Sequence, residues 1–128
     1  MFRSLDFIYM PAPDFETALR YYTDNLHAGL IWRVRGMGTV VAMLRLAGDG
    51  PAILLAEHLN DQPPILVFRV DDLASARKRL EADGVQGDEF ELPHGPCFRF
   101  DAAGGQRFAL YELTRPEANT MWDGRFDA

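Results

Sequence analysis

ILVFRVDDLASARKRLEADG, residues 65–84, carries the reading of the fold. Ile65, Leu66, Val67, Phe68 and Val70 form an apolar, β-branched-rich run of strand length, interrupted by Arg69. Asp71 or Asp72 suits a helix cap, because a carboxylate there accepts backbone N–H groups that the first helical turn leaves unpaired. Leu73, Ala76, Arg77 and Leu80 recur at helical spacing, and Gly84 is a natural stop. The plan also occurs 58 residues earlier, in FIYMPAPDFETALRYYTDNL (7–26). Phe7 falls on Ile65, Asp14 on Asp72, Phe15 on Leu73, Ala18 on Ala76 and Tyr22 on Leu80.

The repeat continues past the helix. LRLAGDGPAILLAE (44–57) aligns with FRFDAAGGQRFALYE (98–112), each reading as strand, Gly-containing turn, strand. Each half is therefore βαβββ. Neither half alone buries both faces of its sheet, so the expected fold is α+β. Two βαβββ repeats form an eight-stranded mixed-sheet cup with helices outside. Repeat one covers about 4–58, a linker 59–64, repeat two about 65–113 and a tail 114–128, within one domain.

In the first repeat the expected strands are 5–10, 30–35, 39–46 and 52–58. The helix runs from the Asp14 cap to about Leu26, with Phe15, Ala18, Leu19, Tyr22 and Leu26 on its apolar face. Gly36-Met37-Gly38 turns the chain between the second and third strands. In the second repeat, 89–92, 97–100 and 107–113 are strands and 93–96 is a loop. Alternation puts Leu5, Phe7 and Tyr9 on one face of the first strand and Asp6, Ile8 and Met10 on the other. Ile8, Met10, Leu66, Phe68, Phe108 and Leu110 are expected to face the helices, and the alternate residues to line the cup. Met121, Trp122 and Phe126 in the tail suit covering an apolar surface, in the same subunit or a neighbour.

A chain of 128 residues with formal net charge −6 and pI about 4.9 has no basic stripe for phosphates, which argues against a nucleic-acid partner. The single cysteine, Cys97, lies in an expected strand and reads as a buried, inert thiol. MFRSLDFIYM lacks the apolar core of a signal peptide, and no run reaches membrane-span length. A cytoplasmic protein with no membrane partner is the expectation.

Asp14-Phe-Glu-Thr-Ala-Leu-Arg-Tyr21-Tyr22 with Leu26 resembles the opening of the vicinal-oxygen-chelate family, which includes glyoxalase I, bleomycin-resistance proteins and extradiol dioxygenases. Val70-Asp71-Asp72-Leu73 and the hairpin from Asp101 to Leu110 extend the resemblance over about residues 5–113. It implies a divalent metal held by His and Glu at one position in each of four strands. Those positions fall on Phe7, Leu54, Ile65 and Ala109, none of which offers a donor atom. No metal and no cofactor are therefore expected. A one-residue shift brings in Asp6, Glu57 or His58, which alternation points to another face or level.

Phe7, Tyr9, Trp32, Leu54, His58, Arg69 and Tyr111 are the candidate ligand-binding residues. Tyr9 and Tyr111 share the cup parity of Phe7 and Ala109; Trp32 fits either face. Arg69 shares parity with Ile65 and Val67. A guanidinium there requires an acidic partner, an anionic ligand or water. His58 shares parity with Leu54 and reaches the cup mouth if its strand extends that far. His27 reads as a solvated helix end and His94 as a surface loop residue. Glu57 and Glu112 read as strand-end charges. No catalytic residue is assigned.

The expected function is binding or sequestration of a small organic molecule, as the resemblance to bleomycin-resistance proteins implies. Net acidity suits a cationic ligand and Arg69 an anionic one. The family resemblance and the tail suggest a homodimer. The alternative is a metal-dependent lyase or dioxygenase with displaced ligands drawn from Glu57, His58 and Glu112. A third reading is a scaffold whose cup is closed by Phe7, Leu54 and Ile65.

Overall fold

A computed structural model describes residues 1–36, 38–59 and 62–126. Met37 of the Gly36–Gly38 turn and Asn60 and Asp61 of the linker lie outside the described residues. Eight strands form one mixed sheet: β1 (Phe2–Pro11), β2 (Gly29–Gly36), β3 (Thr39–Arg45), β4 (Ala52–Ala56), β5 (Ile65–Val70), β6 (Gly87–Leu92), β7 (Gly95–Asp101) and β8 (Arg107–Glu112). Their hydrogen-bonded order is β2-β3-β4-β1-β5-β8-β7-β6. β1 runs parallel to β4 and β5 parallel to β8, whereas β2-β3-β4 and β6-β7-β8 are antiparallel. The expected pair of βαβββ repeats is present.

The chain divides into two compact units that exchange their ends. Phe7–Pro64 is joined by Trp122–Ala128, and Ile65–Met121 by Met1–Asp6. We call these the first and second units.

In the first unit, α1 (Phe15–Arg20) starts at Asp14, whose carboxylate accepts the Thr17 N–H at 3.4 Å. The helix widens into a π-type turn over Tyr21–Asn25, so it does not reach Leu26 in regular form. Phe15, Ala18, Leu19 and Tyr22 pack with Ile8, Met10, Val40, Ala42, Leu44, Ile53 and Leu55. Leu26, expected on that face, is exposed because the wider turn rotates it out of phase.

In the second unit, α2 (Leu73–Ala82) is capped twice. Asp72 accepts the Ser75 N–H at 3.1 Å, and the Glu112 carboxylate accepts the Leu73 N–H at 2.8 Å. Glu112 thus satisfies an otherwise unpaired donor at the helix start, a more specific role than a strand-end charge. Leu73, Ala76 and Leu80 pack on Phe68, Phe98, Phe100, Phe108 and Leu110. Phe98 and Leu110 are fully buried.

Both edges of the sheet are protected. β6 carries Asp88, Glu89 and Glu91, charges that disfavour pairing with another chain. β2 is met by the tail: the Arg33 N–H donates to Arg125 O at 2.8 Å, and Phe126 forms a parallel bridge with Arg33. No described helix is long and apolar enough to cross a membrane.

Candidate functional site

The side of the first unit's sheet that faces away from α1 carries a row of side chains in lateral register. Tyr9 of β1 stands opposite Leu54 of β4, Leu54 opposite Met43 of β3, and Met43 opposite Trp32 of β2. Three of the expected ligand residues therefore lie in one row, and Phe7 joins them in the same cluster with Val34, Val41, Ala52 and Ile31. Sequence alternation left the direction of Trp32 open. A register shift between Leu30 and Trp32 settles it: the β-bulge places Leu30 with the α1 cluster but both Ile31 and Trp32 on the helix-free side.

No member of this cluster is charged. Burial pushes the Tyr9 phenol above its ordinary pKa, which keeps it neutral at physiological pH. The Tyr9 hydroxyl has no hydrogen-bond partner among the described residues. His58 does not extend β4, which ends at Ala56; it sits in a 3-10 turn, Glu57–Leu59. Its ring lies edge-on to Tyr9 at 6.3 Å, and its Nδ1 is 3.1 Å from Thr39 Oγ1. His58 therefore borders the row from an exposed turn rather than from a strand.

Trp122 completes the cluster from outside the repeats. Its ring meets Trp32 edge-on, with centroids 5.2 Å apart and planes at 76°. Trp32 is 6% exposed, Met43 7% and Leu54 9%, so the row is covered.

The helix-free side of the second unit has another character. Arg69 stands opposite Tyr111, Tyr111 opposite Cys97, and Cys97 opposite Phe90. Tyr111 is 1% exposed and donates its hydroxyl hydrogen to Asp6 Oδ2. Ser4 donates to the other Asp6 oxygen at 2.6 Å, and Arg69 Nε lies 3.9 Å from Oδ2. The acidic partner that Arg69 requires is thus Asp6. Strict alternation along β1 groups Asp6 with Ile8 and Met10, which pack on the apolar side toward α1. There its charge would lack partners, which is costly; instead it meets Tyr111, Ser4 and Arg69. His94, expected at the surface, is half-buried and packs edge-on against Tyr111 at 5.9 Å. Burial lowers its pKa, with Asp6 opposing. Burial, then the bond to Asp6, raises the Tyr111 phenol, so this group acts as a donor rather than a base. Burial also pushes the Cys97 thiol up to about 12, as an inert cysteine requires.

A cleft of about 290 Å³ opens at the C-terminal ends of β5 and β8. Its two carboxylates are engaged, Asp71 by Arg3 at 3.2 Å and Glu112 by the α2 backbone.

Phe7 and Leu54 in the first unit, and Ile65 and Ala109 in the second, occupy the places where the resemblance puts metal ligands. A divalent ion needs N, O or S donors, and these side chains have none. Among the described residues, no three His, Cys, Asp or Glu side chains gather closely enough to hold an ion. The residues do not fit the metal.

Comparison with known proteins accords with this architecture. The family described as the Glyoxalase/Bleomycin resistance protein/Dioxygenase superfamily matches residues 4–125. Methylmalonyl-CoA epimerase from Mycobacterium tuberculosis is similar with a TM-score of 0.73 and 22% identity, over 92% of this chain and 93% of that one. A glyoxalase/bleomycin resistance protein/dioxygenase superfamily member from Vibrio splendidus 12B01 gives 0.61 and 15%, over 88% of this chain and 99% of that one. A glyoxalase I mutant from Zea mays gives 0.64 and 18%, over 88% of this chain and 44% of that one. At such identities the likeness is one of fold, and no curated protein matches the sequence. With nearly its whole length matched by the family and its strands arranged as in these structures, the chain belongs to the Glyoxalase/Bleomycin resistance protein/Dioxygenase superfamily.

Proposed function

We propose that the protein binds a small, mostly apolar and uncharged organic molecule against the row Tyr9–Leu54–Met43–Trp32. The observation that carries this reading is the chemistry of that row: aromatic and aliphatic side chains in register, and a neutral tyrosine hydroxyl with no hydrogen-bond partner among the described residues. Small-molecule sites combine an apolar lining with a few polar groups that fix orientation. Tyr9 supplies one such group, and His58, beside it, a second. The sequence left cationic and anionic ligands in competition. The row Tyr9–Leu54–Met43–Trp32 itself carries no charged side chain, so an uncharged ligand is favoured, with Phe7, Tyr9, Trp32, Leu54 and His58 as its contacts. Arg69 and Tyr111 are assigned to the internal polar network of the second unit instead.

Binding rather than metal-assisted chemistry follows from the missing donors at Phe7, Leu54, Ile65 and Ala109. A cytoplasmic homodimer remains part of the proposal, supported by Met121 and Phe126, which are 51% and 56% exposed. A monomeric mass at micromolar concentration would remove the dimer.

The test is a tryptophan-fluorescence titration with uncharged aromatic compounds and with cationic and anionic analogues of each. The expected outcome is saturable change with the uncharged member and at least tenfold weaker binding of its charged analogues. Equal response to all three, or tighter binding of a charged analogue, would overturn the reading.

A further inference from the structure

The face assigned to the ligand is already covered, and part of its cover comes from outside the two repeats. Trp32, Met43 and Leu54 are each less than 10% exposed. Trp122 lies across Trp32, yet it follows the second repeat in sequence and belongs with the first unit. Among the described residues, backbone contacts tie its segment to the edge strand β2. The Gly124 N–H donates to Ile31 O at 3.0 Å and the Arg33 N–H to Arg125 O at 2.8 Å. A single parallel bridge joins Phe126 to Arg33. The flanking Met121 and Phe126 are more than half exposed. The attachment uses the carbonyl of Ile31, the bulge residue, and a turn in which Gly124 has φ +78°, a conformation natural to glycine. Few buried apolar contacts and edge hydrogen bonds near solvent characterise segments that open locally before the core does.

We propose that residues 121–126 form a displaceable strap, in which Trp122 occupies part of the ligand face until a ligand takes its place. The inference rests on the ligand-binding reading of that face. The strap competes with the ligand, so weakening it strengthens binding by raising the fraction of chains with the face uncovered. Release of the strap also frees the Arg33 and Gly124 amides.

The test uses Nile red, an uncharged planar probe whose emission rises in apolar surroundings, with the wild-type chain, Trp122→Ala and Gly124→Pro. The second variant leaves the face intact. It removes the donor to Ile31, and proline cannot adopt φ +78°. Both variants are expected to bind Nile red at least fivefold more tightly. On saturation of the wild type, the Arg33 and Gly124 amides are expected to exchange faster with deuterium. Weaker binding by Trp122→Ala would make Trp122 a wall of the site and overturn the strap. Equal affinities with unchanged amide protection would also overturn it while leaving the ligand reading intact. Failure of all three chains to bind would remove the ligand reading and the strap with it.

Discussion

Two rows of side chains occupy repeat-related places on the helix-free sides of the two units. In the first unit the row is Tyr9–Leu54–Met43–Trp32; in the second, the row through Val67 and Ala109 continues to Arg99 and Asp88. One is aromatic and uncharged. The other pairs small apolar residues with two charged ones, and its neighbouring row is tied to Asp6 through Tyr111 and Arg69. Duplication fixed the backbone plan, because each half needs an apolar face against its helix and that requirement is strict. The opposite faces were free to diverge. The first became a surface whose tyrosine hydroxyl has no partner among the described residues, the second a surface where Tyr111 and Arg69 meet Asp6 and Arg99 meets Asp101.

Exchanging character between the rows should therefore have unequal consequences. Leu54→Arg places a guanidinium at a 9% exposed position with no acidic member in its cluster. A loss of about 3–5 kcal/mol in urea unfolding is expected. Arg99→Leu removes only a partly exposed pair with Asp101, and less than about 1 kcal/mol is expected. Similar losses from both would break the comparison.

The tyrosines sharpen it. Tyr111→Phe leaves the Asp6 carboxylate without its phenol donor and should cost about 2 kcal/mol. Tyr9→Phe removes a hydroxyl with no partner among the described residues and should change stability by less than about 0.5 kcal/mol while weakening ligand binding. Denaturant midpoints of the two variants, measured side by side, check this.

Titration provides a smaller contrast. Cys97 rises from the ordinary 9.0 to about 12, and Tyr111 is raised as well. Groups whose folded pKa is raised contribute stability that is complete below the unfolded value and lost as pH climbs toward the folded one. Stability should therefore fall above pH 9, at about 1.4 kcal/mol per pH unit for each group in its window. Cys97→Ala should reduce that slope. His94 is depressed by burial, so its contribution is present above the ordinary value of 6.5 and is lost as pH falls through the folded value. His94→Gln should flatten the acid side slightly, and urea midpoints at each pH provide the check.

Much of this was legible in residue order. Period-2 alternation placed Ile8, Met10, Phe68, Phe108 and Leu110 correctly against the helices, because burial against a helix leaves a strand one register. Asp14 and Asp72 cap as their spacing implied. The illegible parts are local departures from period. The bulge after Leu30 decides where Trp32 points, and no residue there announces it. The π-type turn at Tyr21–Asn25 takes Leu26 out of phase. β4 stops at Ala56, which moves His58 into a turn. Asp6 departs from the alternation of its strand because its partners lie far away in sequence, at Arg69 and Tyr111. Glu112 reads in sequence as a strand-end charge, and its bond to the Leu73 N–H depends on where α2 begins in space. The seat of Trp122 on Trp32 depends equally on tertiary path, since the tail has no periodicity.

The most direct test of the account is metal content. The protein should be purified without chelators, incubated with Mn²⁺, Fe²⁺, Ni²⁺ and Zn²⁺ in turn, desalted and analysed for metal. Apolar side chains at Phe7, Leu54, Ile65 and Ala109 predict far less than one ion per chain. About one ion per chain, lost on substituting His58 or Glu57, would contradict the account and return the protein to the metal-dependent enzymes of its superfamily.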